Sequence, residues 1–244
     1  MRTFGLIGFP LTHSFSQKYF TDKFLTEKIA DVEYRNFPIE KIEDIHRVFE
    51  TENLCGLNVT IPYKESIIPF LDELDAFAVA VGAVNTVVIR NKKKVGYNTD
   101  VYGFEYSLKP VLENHHTKAL VLGTGGSSKA VAYVLKKLRI EFQFVSRNQV
   151  VNSISYDDLK PQTILEHKLI INTTPMGMFP EIQDAPGIPY SFITSQHLLF
   201  DLIYNPEETE FLKRGKQQGA QTKNGLEMLQ LQAEKSWEIW NEAK

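Results

Sequence analysis

The chain has 244 residues, 43% hydrophobic and 23% charged, and its 27 Lys and Arg against 30 Asp and Glu leave a net charge of −3. That is long enough for one large domain or two modest ones, too apolar for general disorder, and too evenly charged to gather nucleic acid or an anionic membrane. Cys55 alone forms no internal disulfide, no Cys/His cluster has zinc spacing, no apolar run reaches the roughly 18 residues of a membrane helix, and Pro10 interrupts the start before a signal-peptide core forms, so a cytoplasmic protein is expected.

Short apolar runs alternate with longer amphipathic ones, the pattern of an α/β fold. Phe4–Ile7 reads as a strand ending in a Gly-Phe-Pro turn, and Ser16 to Lys28 as a helix with Tyr19, Phe20, Phe24 and Leu25 on one face. Glu33–Phe37 is a second strand, Ile42 to Thr51 a second helix, and Gly56–Thr60 a third strand stopped by Pro62. Ala83–Arg90 and Lys94–Asn98 form a hairpin around Asn91-Lys92-Lys93. A second unit begins after Asp100 with a helix over Gly103–Leu112, a buried strand at Ala119–Leu122, a helix over Ser128–Leu138, and strands at Glu141–Val145, Leu169–Asn172 and Leu198–Leu202. Strand–helix–strand alternation with buried strands predicts a parallel sheet. Pro180–Pro189 reads as loop, and Leu226–Ala243 as a helix that needs a partner to cover Trp237 and Trp240.

Gly123-Thr124-Gly125-Gly126-Ser127 follows a strand and opens a helix, the context in which a glycine turn holds a pyrophosphate. Gly123 permits the tight turn, Gly125 lets backbone amides approach the phosphates, Ser128 replaces the third glycine of the usual fingerprint, and Ala130 allows close packing of helix on strand. The next strand runs into Ser146-Arg147-Asn148 with no acid to hold a ribose 2′-hydroxyl, while Arg147 offers a fork suited to a 2′-phosphate; this favours NADP over NAD.

Three polar clusters sit where strands end in the first unit. His13-Ser14-Phe15-Ser16 precedes a helix, with Ser16 as N-cap and two hydroxyls placed for a small carboxylate. In Asn58-Val59-Thr60-Ile61-Pro62-Tyr63-Lys64, alternation sends Asn58 and Thr60 to one face and leaves Lys64 at the strand's exit. Asn98-Thr99-Asp100 closes the hairpin, and Asn85-Thr86 opens its first strand. Singly these are ordinary caps and exposed groups. Together they supply hydroxyls, amides, one ammonium and one carboxylate beside a dinucleotide turn, and reduction of a carbonyl by hydride needs a positioned proton donor such as lysine.

At these residues the chain resembles the shikimate dehydrogenase family almost from end to end. Gly8-Phe9-Pro10 with His13–Ser16, Asn58–Lys64, Gly82–Thr86, Gly96–Asp100, Gly123–Gly126, Asn172–Met178, Asp201–Pro206 and Gly225–Leu229 with Gln230–Ala233 match that family's signatures in order. The resemblance implies an N-terminal α/β substrate domain plus a Rossmann-type NADP-binding domain, with the active site in the cleft between them. Residues 1–102 and 227–244 would form the first and 103–226 the second. It implies reversible NADP-linked oxidation of shikimate to 3-dehydroshikimate, on the route to chorismate and aromatic amino acids. Lys64 would be the catalytic acid/base with Asp100 its partner. Ser14 and Ser16 would hold the substrate carboxylate, and Thr60, Asn85, Tyr204 and Gln232, with Asp100, would surround the ring. Gly123, Thr124, Gly125, Gly126, Ser127, Ser146, Arg147, Asn148, Leu202 and Gly225 would line the cofactor. Gln17 stands where the family has proline, and Val150 and Val151 where a second basic residue is expected, so NAD is kept as the alternative cofactor. The other readings are an NAD-using quinate/shikimate dehydrogenase and a non-catalytic metabolite sensor. No metal, nucleic acid or membrane partner is expected, and the chain would act as a monomer or homodimer.

Overall fold

The computed structural model describes residues 1–11, 15–147 and 153–242. Its contacts divide the chain into two compact units, Met1–Thr99 with Ala233–Lys244, and Asp100–Gln232. The sequence alone places the boundaries after residue 102 and before residue 227.

The first unit follows the order β1 (Arg2–Gly8), α1 (Phe15–Thr26), β2 (Val32–Pro38), α2 (Ile45–Phe49), β3 (Leu54–Val59), β4 (Glu73–Leu74), α3 (Ala76–Val81), β5 (Thr86–Arg90) and β6 (Lys93–Tyr97). Six strands form one sheet in the order β2-β1-β3-β5-β6-β4. β1 runs parallel to β2 and β3, β5 lies antiparallel to β3, and β6 antiparallel to β5. Asn91 and Lys92, both with positive φ, close the β5–β6 hairpin in two residues. Both faces of the sheet are covered, so β1 is buried almost throughout rather than alternating. Ile7, Leu57, Ile67 and Val87 pack on one side, and Phe4, Phe20, Phe24, Tyr34 and Trp240 on the other. Trp240 belongs to α8 (Leu226–Glu242), stacks on Phe4 at 4.7 Å between ring centroids and donates its indole N–H to the Val87 carbonyl at 3.0 Å. That is the cover the tail's tryptophans require.

Two helices differ from expectation. The stretch from Ile42 is a 3-10 turn, Ile42–Asp44, followed by the short α2. The helix expected at Gly103–Leu112 is α4 (Asp100–Leu108), starting three residues earlier; Pro110, with no N–H to give, turns the continuation into a 3-10 turn at Lys109–Val111.

In the second unit α4 leads to β7 (Lys118–Leu122), α5 (Gly126–Lys137), β8 (Glu141–Val145), β9 (Ser153–Ile154), α6 (Pro161–Glu166), β10 (Leu169–Asn172), β11 (Leu198–Asp201), α7 (Glu210–Gln217) and β12 (Gln221–Lys223), before the first turns of α8. All strand pairs are parallel, in the order β12-β11-β10-β7-β8-β9. β7 has its successor β8 on one side and β10 on the other, so the strand order reverses at the end of β7, where open parallel sheets present their ligand crevice.

Candidate active site

Strand direction gathers the first unit's polar residues at one end of its sheet. Asn58 pairs with Thr86 across β3 and β5, and Thr86 with Tyr97 across β5 and β6. The ends of β1, β3 and β6 and the start of β5 therefore share an edge. Thr60 and Lys64 leave β3 on a turn in which Tyr63 N–H donates to the Thr60 carbonyl at 2.9 Å, and the Lys64 carbonyl accepts from Val84 N–H at 2.7 Å. The Tyr63 hydroxyl pins the turn from below by donating to the Ile39 carbonyl at 2.6 Å. Lys64 itself is half-buried. Asn85 is buried just before β5, with its Oδ1 accepting from Thr99 N–H at 2.7 Å. Ser16 is a correction: it lies inside the first turn of α1 and is buried, so it does not cap the helix. Ser14 and Asn148 fall outside the described residues.

In the second unit the glycine turn follows β7 as expected. Gly123 has φ +105°, and a Cβ there would meet Thr173 Oγ1 at 2.8 Å, so the position needs glycine twice over. Gly125 is the N-cap of the 12-residue α5, which no side chain caps, and a Cβ on it would meet nothing within 4 Å. An uncapped helix start beneath open space offers backbone N–H donors and the positive end of the helix dipole to an anion. Ser128 instead turns back to the Gly125 carbonyl at 2.6 Å and is buried, and Ala130 is fully buried against the sheet. Ser146 is held by its N–H to the Ile154 carbonyl, and Arg147 is exposed at the end of β8. The residues present thus fit a dinucleotide, with pyrophosphate at the turn and Arg147 as the nearby cation.

Leu202 and Gly225 are brought together. Gly225 N–H donates to the Ile203 carbonyl at 2.9 Å, and a Cβ at 225 would collide with the Leu202 carbonyl. Tyr204 is half-buried on the same loop, and burial pushes its hydroxyl above the ordinary range. Asp100, the first residue of α4, and Gln232, on α8, are both buried. Gly103, one turn after Asp100, passes so near α8 that a Cβ would lie 3.1 Å from Gln232 Cβ.

Sequence reasoning missed the buried carboxylate that organises this end of the second sheet. Asp201, at the end of β11, accepts from Asn172 Nδ2 at 3.0 Å, Ile203 N–H at 3.0 Å and Thr209 Oγ1 at 2.6 Å. Asn172 in turn accepts from Thr174 through both its N–H and its hydroxyl. One side chain thus ties the loops after β10 and β11 to the start of α7. Its partners are neutral, and burial pushes its carboxyl up to about 7. The signal available was an aspartate ending an otherwise wholly apolar buried strand.

No helix among the described residues is long and apolar enough to cross a membrane, and among them no group of His, Cys, Asp and Glu is placed to hold a metal.

Comparison with known proteins adds independent findings. Residues 6–87 match the family model described as the shikimate dehydrogenase substrate binding domain. The chain is 37% identical, over 97% of its length and 90% of the relative's, to a protein of Carboxydothermus hydrogenoformans named shikimate dehydrogenase (NADP(+)). It is 38% identical to the protein of that name from Clostridium beijerinckii, over 100% of this chain and 93% of that one. Among solved structures, shikimate dehydrogenase 1 from Peptoclostridium difficile matches with a TM-score of 0.86 and 38% identity, covering 100% of this chain and 93% of that one.

Proposed function

The chain belongs to the shikimate dehydrogenase family, and from that membership we propose how its residues divide the work of an NADP-linked shikimate dehydrogenase. It is an oxidoreductase that interconverts shikimate and 3-dehydroshikimate. The NAD-using quinate/shikimate enzyme and the non-catalytic sensor are the less favoured readings, since the curated relatives carry the NADP-linked name. We assign residues 1–102 and 227–244 to the substrate and 103–226 to the dinucleotide.

Bound NADP supplies a hydride acceptor for the carbinol carbon. Lys64 takes the proton of the same hydroxyl during oxidation and returns it during reduction; a positioned acid/base of this kind contributes about two to four powers of ten in rate. Asp100 accepts a hydrogen bond from the ring hydroxyls and serves as the partner of Lys64 in this role. Ser14 and Ser16 hold the carboxylate. Thr60, Asn85, Tyr204 and Gln232 hold the ring, each as a hydrogen-bonding side chain that rejects a ligand lacking the matching hydroxyl. Gly123–Ser127 hold the pyrophosphate through backbone amides, Ser146, Arg147 and Asn148 face the 2′-phosphate, and Leu202 and Gly225 shape the nicotinamide end. The protein works in the cytoplasm, as a monomer or homodimer, with no nucleic acid or membrane partner.

The observation that carries this reading is the presence in one chain of an uncapped glycine turn at α5 and of Lys64 on a turn braced by Tyr63 and Val84. Purified protein mixed with shikimate and NADP should generate reduced nicotinamide, followed by its absorbance, and NAD should serve less well. No reduction with either cofactor would overturn the reading.

A further inference from the structure

Asp201 is a buried carboxylate to which the reaction gives no part, yet both of its oxygens serve one loop. That loop, residues 202–208, leaves β11 and ends at Thr209, the N-cap of α7. Asp201 Oδ1 accepts from Ile203 N–H at 3.0 Å, and Oδ2 accepts from Thr209 Oγ1 at 2.6 Å. The first bond, from a side chain to the N–H two residues on, is an Asx turn; it bends the chain out of the strand and makes Leu202 the corner. The second brings the far end of the loop back to the same side chain. Asn172, opposite Asp201 in the β10–β11 pairing, steadies the carboxylate by donating from Nδ2 to Oδ1 at 3.0 Å.

The corner fixes a seam of backbone on backbone. Leu202 N–H donates to the Asn172 carbonyl at 3.0 Å, and the Ile203 carbonyl accepts from Gly225 N–H at 2.9 Å. Gly225 leaves no room for a Cβ against the Leu202 carbonyl, so no side chain separates the two segments and a shift of the corner passes directly to Gly225. Asn172, Asp201, Ile203 and Thr209 are all buried. Removing the carboxyl therefore leaves buried donors unpaired, and the loop has to move to satisfy them.

We propose that Asp201 is a positioning residue for the nicotinamide end of the cofactor: it holds the corner at Leu202 and, through it, the seam with Gly225. The inference rests on the assignment of Leu202 and Gly225 to the cofactor. Asp201 acts through the hydrogen bonds it accepts and not through its charge, so an amide of the same shape serves as well.

The test compares two ligands on the intact enzyme by calorimetric titration, with a thermal melt to verify folding. One is NADP; the other is 2′-phospho-ADP-ribose, which keeps the pyrophosphate and the 2′-phosphate but lacks the nicotinamide. Asp201→Ala should weaken NADP about five- to tenfold, the scale of one hydrogen bond, with 2′-phospho-ADP-ribose held within about twofold. The kcat for shikimate oxidation should fall about tenfold or more, since a misplacement of about 1 Å costs up to about 100-fold in rate. Asp201→Asn should restore NADP affinity and kcat to within about twofold of wild type. A merely structural role lowers the melting temperature and leaves the ratio of the two affinities alone. An unchanged ratio in folded Asp201→Ala, or Asp201→Asn no better than Asp201→Ala, overturns the proposal and leaves the enzyme assignment intact. Wild-type protein that binds both ligands equally tightly removes the roles of Leu202 and Gly225 and this proposal with them; wild-type protein inactive toward shikimate removes the function itself. Should Asp201→Ala fail to fold, Thr209→Val keeps the shape, frees the far end of the loop and should weaken NADP about threefold with 2′-phospho-ADP-ribose unaffected; an unchanged NADP affinity there overturns the proposal equally.

Discussion

Replacing Asp201 by Asn tests the buried carboxylate directly. The amide has the same shape: its oxygen still accepts from Asn172 and Ile203, and its NH2 donates to Thr209 Oγ1, which accepts instead of donating. Only the charge is lost. In the unfolded chain the carboxyl ionises near its ordinary 3.8, whereas in the folded protein burial pushes it up to about 7. A carboxyl raised in this way is protonated in the native state over a pH range in which the unfolded chain has already lost the proton. Its contribution to stability is therefore fully present below pH ~4, falls as pH rises, and is gone once pH passes ~7. A shift of about 3 units corresponds to about 4 kcal/mol between these limits. Urea unfolding of wild type and Asp201→Asn across this range should show the variant drawing ahead as pH rises, with the gap levelling above neutrality. The difference between the two proteins is the quantity to read, because His116 and His197, both held low by burial, act in the opposite direction in each of them. Two stability curves that stay parallel from pH 5 to 8, to within about 0.5 kcal/mol, would refute the reasoning.

Three further outcomes are expected. Lys64→Ala should lower kcat by about two to four powers of ten in the steady-state assay, and a loss confined to KM would reduce Lys64 to a binding residue. Gly123→Ala, which combines a positive φ with a Cβ 2.8 Å from Thr173 Oγ1, should weaken NADP binding by at least about tenfold in a fluorescence titration, the scale of 1–3 kcal/mol of backbone strain, while leaving the affinity for shikimate nearly unchanged. Trp240→Ala empties a buried aromatic site between Phe4, Phe20 and Tyr34 and should cost about 3–5 kcal/mol in urea unfolding.

The parallel sheet of the second unit was legible because strands such as Ala119–Leu122 and Leu169–Asn172 are apolar on both faces, which is what a covered parallel strand requires. The glycine turn was legible for the same reason, since its meaning depends on the strand before it and the helix after it. Short elements escaped notice. α3 and α7 have six and eight residues, too few for a helical period to show, although each announces itself with an N-cap, Asp75 accepting from Ala78 N–H at 2.8 Å and Thr209 from Leu212 N–H at 3.4 Å. β12 is a polar three-residue edge strand with no run to detect. Asn58 and Thr86 could be singled out as polar residues at strand ends, but not their connection to Tyr34 and Ser236, because that depends on sheet register and on where α8 lies. Ser16 reads as a cap because serine before a helix usually is one, whereas α1 begins a residue earlier at Phe15.

The packing of Trp240 against Phe4 joins residues far apart in the chain, the second made long after the first. While the ribosome is still elongating, the first sheet lacks the aromatic cover that closes one of its faces, and the strands made earliest wait with that surface open. The second unit, contiguous from Asp100 to Gln232, has no such wait and can close on itself first. The half-built first sheet is then the species that chaperones and proteases meet, so losses from late truncation or slow synthesis should fall there, whatever the intrinsic stability of the finished enzyme.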